Sequence, residues 1–287
     1  MPEPSWTVVV PVKRLGVAKS RLRGALPGVP HEELALALAA DTVRAVRACP
    51  AVAEVLVVTD DPRAAAEARA AGARVTGDPA AGLNGAFRHG AATAGPAAPV
   101  AALTADLPAL RPAELAAALR AVPTDPPGVR GFVADAPGDG TVLLAAPAGV
   151  ALEPRFGPGS AAAHLASGAL PLHGDWPGLR RDVDTADDLA GAARLGLGPR
   201  TGRLLRARAL AAPVRTVRYG AGMQGTVATY DASTRSGVLL LDDGTELAFP
   251  ARAFDASGLR LLRLGQRVRI ERDAAGEIIR VTLPTMS

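Results

Sequence analysis

The sequence has one cysteine, Cys49, and only four histidines in 287 residues. A single cysteine cannot form an internal disulfide bond, and it excludes a zinc site built from cysteine ligands. No apolar run approaches the roughly 20 residues that a membrane-spanning helix needs. Because a strand-like run begins soon after the first residue, we expect no signal peptide, no membrane partner and a cytoplasmic location.

Lysine and asparagine are also nearly absent. The 32 basic residues include two lysines, Lys13 and Lys19, and the only asparagine is Asn84. A chain so rich in Ala, Gly, Pro and Arg is typical of a GC-rich genome, in which Arg or Asp replaces Lys or Asn wherever it can serve. Lysine is a compact point charge that arginine does not replace at a phosphate. The two lysines therefore indicate a phosphate-binding segment, with solvated surface lysines as the alternative.

Charge and periodicity divide the chain into two parts. Residues 1–200 carry 19 basic and 20 acidic side chains, whereas residues 201–287 carry 13 and 8. A change in charge balance of this kind is typical of separate domains. We predict a first domain at 1–195, a linker with a basic helical patch at 196–213, and a second domain at 214–287.

The first part alternates strand-like and helix-like segments. Continuous apolar runs such as WTVVVPV and EVLVVT predict buried parallel strands, and capped helical patterns follow them. This alternation predicts an α/β fold, a mostly parallel sheet with helices on both faces. Ligands of such sheets bind at the carboxyl ends of the strands. From Val214 onward, short period-two segments separated by turn residues predict a small β-barrel instead.

The segment PVKRLGVAKSRL, at 11–22, places a basic loop directly after the first strand. Lys13, Lys19 and Arg21 could neutralise a triphosphate at this position. The segment is not a Walker A loop, since Lys13 and Ala18 stand where that motif needs glycine.

Two acidic segments are candidate metal sites. Asp106 follows the strand PVAALTA, where a carboxylate can hold Mg²⁺, although a helix cap or a turn is the alternative. Asp182 and Asp184 alternate along an extended segment and so point to the same side. Thr185 and Asp188 form a capping-box pattern that predicts the start of a helix. Mg²⁺ prefers a few carboxylates together with substrate phosphate oxygens.

A glycine-rich segment offers an anion site. The sequence RFGPGSAAA places Gly157, Gly159 and Ser160 before a helix, where backbone N–H groups and a hydroxyl can bind an anion. The alternative is that Ser160 only caps the helix. Thr141, which follows Gly138-Asp139-Gly140, begins a strand that faces the same region.

These motifs occur in an order that resembles one family. The chain runs PVKRLGVAKSRL, DPAAGLNGA, TADLPAL, GDGTVLL, FGPGSAAAH and WPGLRRDVDTADDL over about residues 6–195. This is similar to the 2-phospho-L-lactate / phosphoenolpyruvate guanylyltransferases of deazaflavin coenzyme (coenzyme F-420) biosynthesis. The resemblance implies a Rossmann-like nucleotidyltransferase fold related to the molybdenum-cofactor guanylyltransferases. It also implies a reaction that joins GTP to a small phosphorylated acid and releases pyrophosphate. The product would be the substrate of the next transferase of the pathway, which the resemblance suggests as a partner.

The resemblance assigns roles to the residues already singled out. It implies catalytic roles for Asp106 and Lys19. The residues implied to bind the acceptor substrate are Thr141, Gly157 and Ser160. Those implied to bind the nucleotide are Lys13, Lys19, Arg21 and Asn84. Those implied to bind Mg²⁺ are Asp106, Asp182 and Asp184. For Asn84 the alternative is a turn held by backbone hydrogen bonds. The acceptor stays open between phosphoenolpyruvate and 2-phospho-L-lactate, and the GC-rich, bacterial composition favours phosphoenolpyruvate.

The C-terminal part resembles a cold-shock-type OB β-barrel over MQGTVATYDASTRSGVLLLDDGTELAFPARAF. Such barrels bind single strands by stacking bases on aromatic side chains. Here only Tyr230 and Phe249 remain of that platform, so we expect a structural or interaction barrel and no strong nucleic-acid binding. Two alternatives to the guanylyltransferase remain: a nucleic-acid-binding regulator with a degenerate nucleotide-sensing domain, and a related nucleotidyltransferase with another acceptor.

Overall fold

The computed structural model describes residues 5–16, 22, 24–26, 28–95, 97–125, 127–211, 224–272 and 277–283. Lys19 and Arg21 lie outside the described residues. Contacts within the chain divide it into two units, residues 1–209 and residues 210–287. No helix in the described ranges is long and apolar enough to cross a membrane.

The first unit alternates strands and helices, as the sequence predicts. Its strands are β1 (Trp6–Pro11), β2 (Val52–Val58), β3 (Arg74–Thr76), β4 (Val100–Leu103), β5 (Gly131–Ala134), β6 (Thr141–Ala146) and β7 (Leu170–Pro171). Its helices are α1 (His31–Arg47), α2 (Pro62–Ala70), α3 (Gly82–Ala94), α4 (Pro112–Arg120), α5 (Ser160–Ala166), α6 (Pro177–Arg180), α7 (Ala186–Leu195) and α8 (Pro199–Ala211). The sequence patterns miss β7 and α6, because two and four residues are too few to show a period.

The strands of this unit form one seven-stranded sheet in the order β3-β2-β1-β4-β6-β5-β7. Only β6 is reversed, being antiparallel to both β4 and β5, so the predicted mostly parallel sheet is confirmed. The chain leaves β1 towards β2 on one side and returns to β4 on the other. The direction of winding therefore changes between β1 and β4, and a crevice for ligands opens at the carboxyl ends of these two strands.

Helices cover both faces of the sheet. Val8 and Val10 of β1 lie in a core shared with α1 and α4, whereas Val9 lies in a second core with Phe87 of α3. All three valines are fully buried, which explains the continuous apolar run of this strand. Gly90 lets α3 approach β1, because a Cβ atom there would lie 2.3 Å from Cγ1 of Val9.

In the second unit, residues 224–272 and 277–283 form an antiparallel sheet with one short helix. Its elements are β8 (Gln224–Asp231), β9 (Ser236–Leu241), β10 (Glu246–Phe249), α9 (Ala251–Asp255), β11 (Arg267–Arg272) and β12 (Ile278–Thr282). The strands pair in the order β10-β9-β8-β11-β12. No backbone pairing joins β10 to β12 within the described strands, so the sheet is open there and the closed OB-like barrel stays a prediction.

The segment predicted as a linker, 196–213, contains a helix that is bound to the first unit. The carboxylate of Asp41 on α1 accepts hydrogen bonds from the backbone N–H groups of Arg200 and Thr201, at 3.0 and 2.7 Å. Asp41 and Thr201 are both buried. A carboxylate at a helix N-terminus compensates the free N–H groups and the positive end of the helix dipole. The contacts therefore place the start of α8 with the α/β unit rather than in a connector.

Replacing this carboxylate should loosen α8. We expect Asp41→Asn to lower the free energy of unfolding by about 1.5–3 kcal/mol, the range for a buried hydrogen bond to a charged group. Trypsin should then cut faster after Arg203 and Arg206. Urea unfolding and a timed digest would measure the two effects. An unchanged rate of digestion would contradict the inference that Asp41 stabilises the start of α8. The control is Asp175→Asn, which replaces an exposed carboxylate.

Candidate active site

The loops after β1 and β4 lie at the same edge of the sheet. Val9 pairs with Ala102 across the two strands, and Lys13 and Asp106 each follow four residues later. Lys13 is exposed and Asp106 is half-buried. The topology therefore places a cation and a carboxylate on the two sides of the crevice between β1 and β4.

The loop after β1 is tied to the start of α2. The buried Leu15 donates its backbone N–H to Asp61 Oδ2 at 3.0 Å, while Asp61 Oδ1 accepts from the N–H groups of Arg63 and Ala64. Burial alone would raise the pKa of Asp61, but the hydrogen bonds from Leu15, Ala64 and Arg63 lower it. An Asp-Pro pair predicts a helix start from sequence, yet only the structure shows that Asp61 also fixes the beginning of the basic segment.

The loop that carries Asp106 is held by α1 and by the residue that directly precedes α8. Thr42 of α1 is fully buried, and its Oγ1 accepts the backbone N–H of Leu107 at 2.9 Å. Gly198, just before α8, donates its N–H to the carbonyl of Pro108 at 2.7 Å. These bonds fix the backbone on the C-terminal side of Asp106.

The two predicted acidic segments meet at this loop. The backbone N–H of Val183 donates to the carbonyl of Asp106 at 3.1 Å. Val183 is fully buried, whereas Asp182 is half-buried and Asp184 is exposed, as expected for an extended segment whose alternate residues face opposite sides. The structure thus brings the segment of Asp182 and Asp184 next to Asp106.

The capping box predicted at the start of α7 is present. Thr185 accepts the backbone N–H of Asp188 at 3.2 Å, and Asp188 accepts the N–H of Thr185 at 2.9 Å. Asp188 is therefore occupied at the helix end. Among the described His, Cys, Asp and Glu side chains, no three are arranged to hold a metal ion. The acidic segments adjoin one another without forming a finished three-ligand cage.

The residues predicted to bind the acceptor surround one histidine. Thr141 Oγ1, at the start of β6, lies 3.0 Å from Nδ1 of His164 on α5. The backbone N–H of Arg155 donates to His164 Nε2 at 2.9 Å. His164, Thr141 and Ser160 are all buried. Sequence reasoning missed His164, because a histidine in an alanine-rich helix has no distinguishing pattern.

His164 is neutral near neutral pH. Burial, followed by the positive charges of Arg130 and Arg155, lowers the pKa of His164 to about 4, and the hydrogen bond to the carbonyl of Ser160 only partly opposes them. Since Nε2 accepts a backbone N–H, the single proton of the neutral ring is on Nδ1.

The glycine-rich loop before α5 is bound to the loop before β6. Gly157 and Gly159 have φ of +140° and +67°, where a side chain would be strained. Asp139 accepts the N–H of Gly159 on its carboxylate at 3.1 Å, and the N–H of Ala161 on its backbone carbonyl at 3.0 Å. The two loops therefore form one structural unit around Ser160.

Asn84 pairs with the backbone of the same loop. Its Nδ2 donates to the carbonyl of Phe156 at 2.9 Å, and its Oδ1 accepts the N–H of Phe156 at 2.8 Å. The ring of Phe156 packs on Phe87, with centroids 4.4 Å apart. These contacts match the alternative of backbone hydrogen bonding, although to a distant loop rather than to its own turn. A contact between Asn84 and a nucleotide stays a prediction.

A basic cavity of about 250 Å³ lies between α6, α7 and the end of β5, and the lining residues include Arg180, Arg181 and Arg194. Arg180 donates to the backbone carbonyls of Ala134 and Asp135 at 3.1 and 2.8 Å. Within the described ranges, Arg181 and Arg194 form no ion pair. Arg181 directly precedes Asp182, so positive charge adjoins the acidic segment.

Comparisons with known proteins agree with this geometry. A MobA-like NTP transferase domain matches residues 35–170. Phosphoenolpyruvate guanylyltransferase of Salinispora arenicola is 76% identical over 200 residues, which cover 69% of this chain and 92% of that protein. The protein of the same name from Geodermatophilus obscurus is 58% identical, and the match covers 70% of this chain and 94% of that protein. The one from Streptomyces coelicolor is 55% identical, and the match covers 68% of this chain and 93% of that protein. A solved structure of a proposed nucleotide-diphospho-sugar transferase from Desulfovibrio desulfuricans shares the fold (TM-score 0.55, 16% identity, 72% of this chain and 96% of that chain).

The doubly wound sheet, the matched domain and the groups gathered at the β1–β4 crevice define a nucleotidyltransferase. The relatives are more than half identical and are covered over more than nine-tenths of their length. The chain therefore belongs to the phosphoenolpyruvate guanylyltransferase family.

The buried neutral histidine predicts a pH dependence of stability. The unfolded chain binds a proton on His164 below about pH 6.5, whereas the folded chain does so only below about pH 4. Stability from this group is therefore complete above pH 6.5 and is lost as the pH falls to about 4, by about 3 kcal/mol.

Urea unfolding of the wild type and of His164→Gln at several pH values would measure this contribution. The wild type should lose more stability than the variant between pH 6.5 and 4, because glutamine does not titrate. The control variant is His89→Gln, which replaces a half-buried histidine. It should lose stability between pH 6.5 and 4 as steeply as the wild type does. Equal pH slopes for the wild type and His164→Gln would contradict the depressed pKa.

Proposed function

We propose that this protein transfers a guanylyl group from GTP to phosphoenolpyruvate and releases pyrophosphate, a step of coenzyme F-420 biosynthesis. The observation that carries the proposal is the hydrogen bond between Val183 N–H and the Asp106 carbonyl, which joins both acidic segments at the crevice. The names of the relatives support this choice of substrates. The predicted cytoplasmic location and the next transferase as a partner belong to the same proposal.

The proposed reaction needs no nucleophile from the protein. A phosphate oxygen of the acceptor attacks the α-phosphorus of GTP, and a new P–O bond forms. The bond from the α-phosphorus to the oxygen bridging to the β-phosphorus breaks, and its electron pair leaves with pyrophosphate. Both reactants are anions, so the protein must bring them together and neutralise their charge.

The two anions would bind on different sides of the acidic segments. We assign the triphosphate of GTP to Lys13, together with Lys19 and Arg21 further along the same segment. The acceptor would lie at Thr141, Gly157 and Ser160, where N–H and hydroxyl groups surround the start of α5. The two hydrogen bonds between Asn84 and Phe156 support the acceptor assignment, because they hold the glycine-rich loop at a fixed place against α3.

The acidic segments fit a magnesium ion. Asp106, Asp182 and Asp184 offer only oxygen donors, and Mg²⁺ commonly takes one or two carboxylates and completes its shell with water and phosphate oxygens. A finished three-carboxylate cage is therefore not required. When bound, the ion would neutralise phosphate charge. Lys19 would contribute a second positive charge near the reacting phosphorus, which is the catalytic role that we assign to it.

The acceptor could also be 2-phospho-L-lactate. It differs from phosphoenolpyruvate by a double bond in the carbon skeleton, and the polar groups around Thr141 and Ser160 would bind the phosphate and carboxylate of either compound. The relatives named for phosphoenolpyruvate favour that acceptor.

For the second unit we propose a structural or interaction role as a cold-shock-like OB extension. Phe249 and Phe254 are only 2% and 1% exposed, and both belong to its core. Tyr230 stacks on Phe249, with ring centroids 6.4 Å apart. Since base stacking needs exposed aromatic faces, these contacts disfavour the nucleic-acid-binding alternative.

The central test is pyrophosphate release with GTP and a panel of phosphorylated acids. We expect release with phosphoenolpyruvate that requires a divalent cation. Asp106→Asn should lower kcat/KM by two to three orders of magnitude, because loss of a carboxylate that would bind the metal ion raises the activation free energy by about 3–4 kcal/mol. Asp175→Asn, an exposed carboxylate, should retain the wild-type rate. A rate for Asp106→Asn within threefold of the wild type would exclude the metal role.

Two truncated chains should distinguish the contribution of α8 from that of the second unit. A chain ending at residue 212 should keep guanylyltransferase activity, because every assigned residue precedes α8 and the hydrogen bonds from α8 to Asp41 are retained. A chain ending at residue 195 should be unstable, because it leaves the carboxylate of Asp41 buried without these donors. Thermal unfolding and pyrophosphate release would compare the two. Inactivity of the longer piece would show that the second unit is needed for catalysis.

A further inference from the structure

We infer that His164 is a positioning residue of the acceptor site. Its Nδ1 donates a hydrogen bond to the Thr141 hydroxyl, and its Nε2 accepts one from the backbone N–H of Arg155. The Thr141 hydroxyl hydrogen is thereby oriented to donate to the acceptor. This inference rests on the proposed function, since it takes Thr141 as part of the acceptor site. His164 does not touch the acceptor in this scheme and acts through Thr141.

The direction of the hydrogen bonds follows from the backbone. An amide N–H can only donate, so the Arg155 N–H at 2.9 Å makes Nε2 an acceptor and leaves the ring proton on Nδ1. That proton faces Thr141 Oγ1 at 3.0 Å and the Ser160 carbonyl. Thr141 Oγ1 therefore accepts from the ring, and its own hydrogen remains to donate elsewhere. Phosphate and carboxylate oxygens of an acceptor are good partners for such a hydrogen.

The surroundings keep this arrangement in place over the working pH range. The guanidinium groups of Arg130 and Arg155 act on the ring, and Arg130 is paired with Glu153 at 2.8 Å. Both guanidinium groups oppose a second proton on the ring. A proton on Nε2 would also oppose the Arg155 N–H and break the link to the loop. Phe132 and Phe156 pack against the ring, with centroids 5.8 and 5.2 Å away.

A direct catalytic role does not fit the same contacts. His164 is 0% exposed, and both ring nitrogens are already bonded within the protein. A general base must reach the proton that it removes. His164 instead connects three parts of the predicted acceptor site: the start of β6, the start of α5, and the segment that leads into Gly157.

Three substitutions of His164 distinguish positioning from packing. Asn can place an N–H near the Nδ1 position, Gln can place a carbonyl near the Nε2 position, and Leu supplies neither. We expect the KM for phosphoenolpyruvate to rise about 10–100-fold in His164→Leu and His164→Gln, the loss of one or two buried hydrogen bonds. His164→Asn should recover most of this loss, while the KM for GTP should stay within about threefold in all three.

A second Thr–His pair is the control. His89 Nε2 lies 3.2 Å from Thr76 Oγ1, and neither residue is assigned to the acceptor site, so His89→Asn should leave both KM values unchanged. If all three His164 variants raise both KM values and lower kcat together, His164 has a packing role and the inference is overturned. If His164→Leu matches the wild type, it is overturned as well.

A readout without turnover separates this inference from the proposed function. In the ¹⁵N-labelled full-length protein, the ring nitrogen shifts of His164 should show the proton on Nδ1, and phosphoenolpyruvate should move these shifts while GTP alone should not. A proton on Nε2, or no response to phosphoenolpyruvate in a protein that turns over, would overturn the inference. A clear response without pyrophosphate release would support the positioning role and refute the transferase reaction.

Discussion

The proposed active site depends on one backbone hydrogen bond, from the N–H of Val183 to the carbonyl of Asp106. It joins the segment between α6 and α7 to the loop after β4, and so sets two distant acidic segments side by side. Buried Val183 fixes which residues of the extended segment face the core. The hydroxyl of Thr42 and the N–H of Gly198 hold the other end of the Asp106 loop.

The proposed acceptor site is organised by a different kind of contact. Side chains there bond to the backbone of loops: Asn84 to Phe156, Asp139 to Gly159, and His164 to Arg155. A loop held by side chains from other elements keeps its shape without the regular hydrogen bonds of a helix or strand. The glycine-rich loop therefore has the fixed shape that the proposed binding of a small anion requires.

Sequence reasoning predicted what short-range patterns encode. The apolar runs of β1 and β2 and the capping box at Thr185 follow from local spacing. The docking of α8, the reversal of β6 and the partner of Asn84 arise from contacts between distant residues, which leave no period in the sequence. The sequence predicts a linker over the basic segment of α8, because the carboxylate that binds the start of this helix lies far away in the chain, on α1.

The outer strands of the large sheet limit how copies of this protein can associate. Both β3 and β7 are very short, with three and two residues, and β7 ends in Pro171, which has no N–H to donate. Neither edge offers the long row of free backbone groups that strand addition uses. The sheet is therefore protected against edge-to-edge growth, and a stable dimer of the α/β unit would have to be built from helix or loop surfaces.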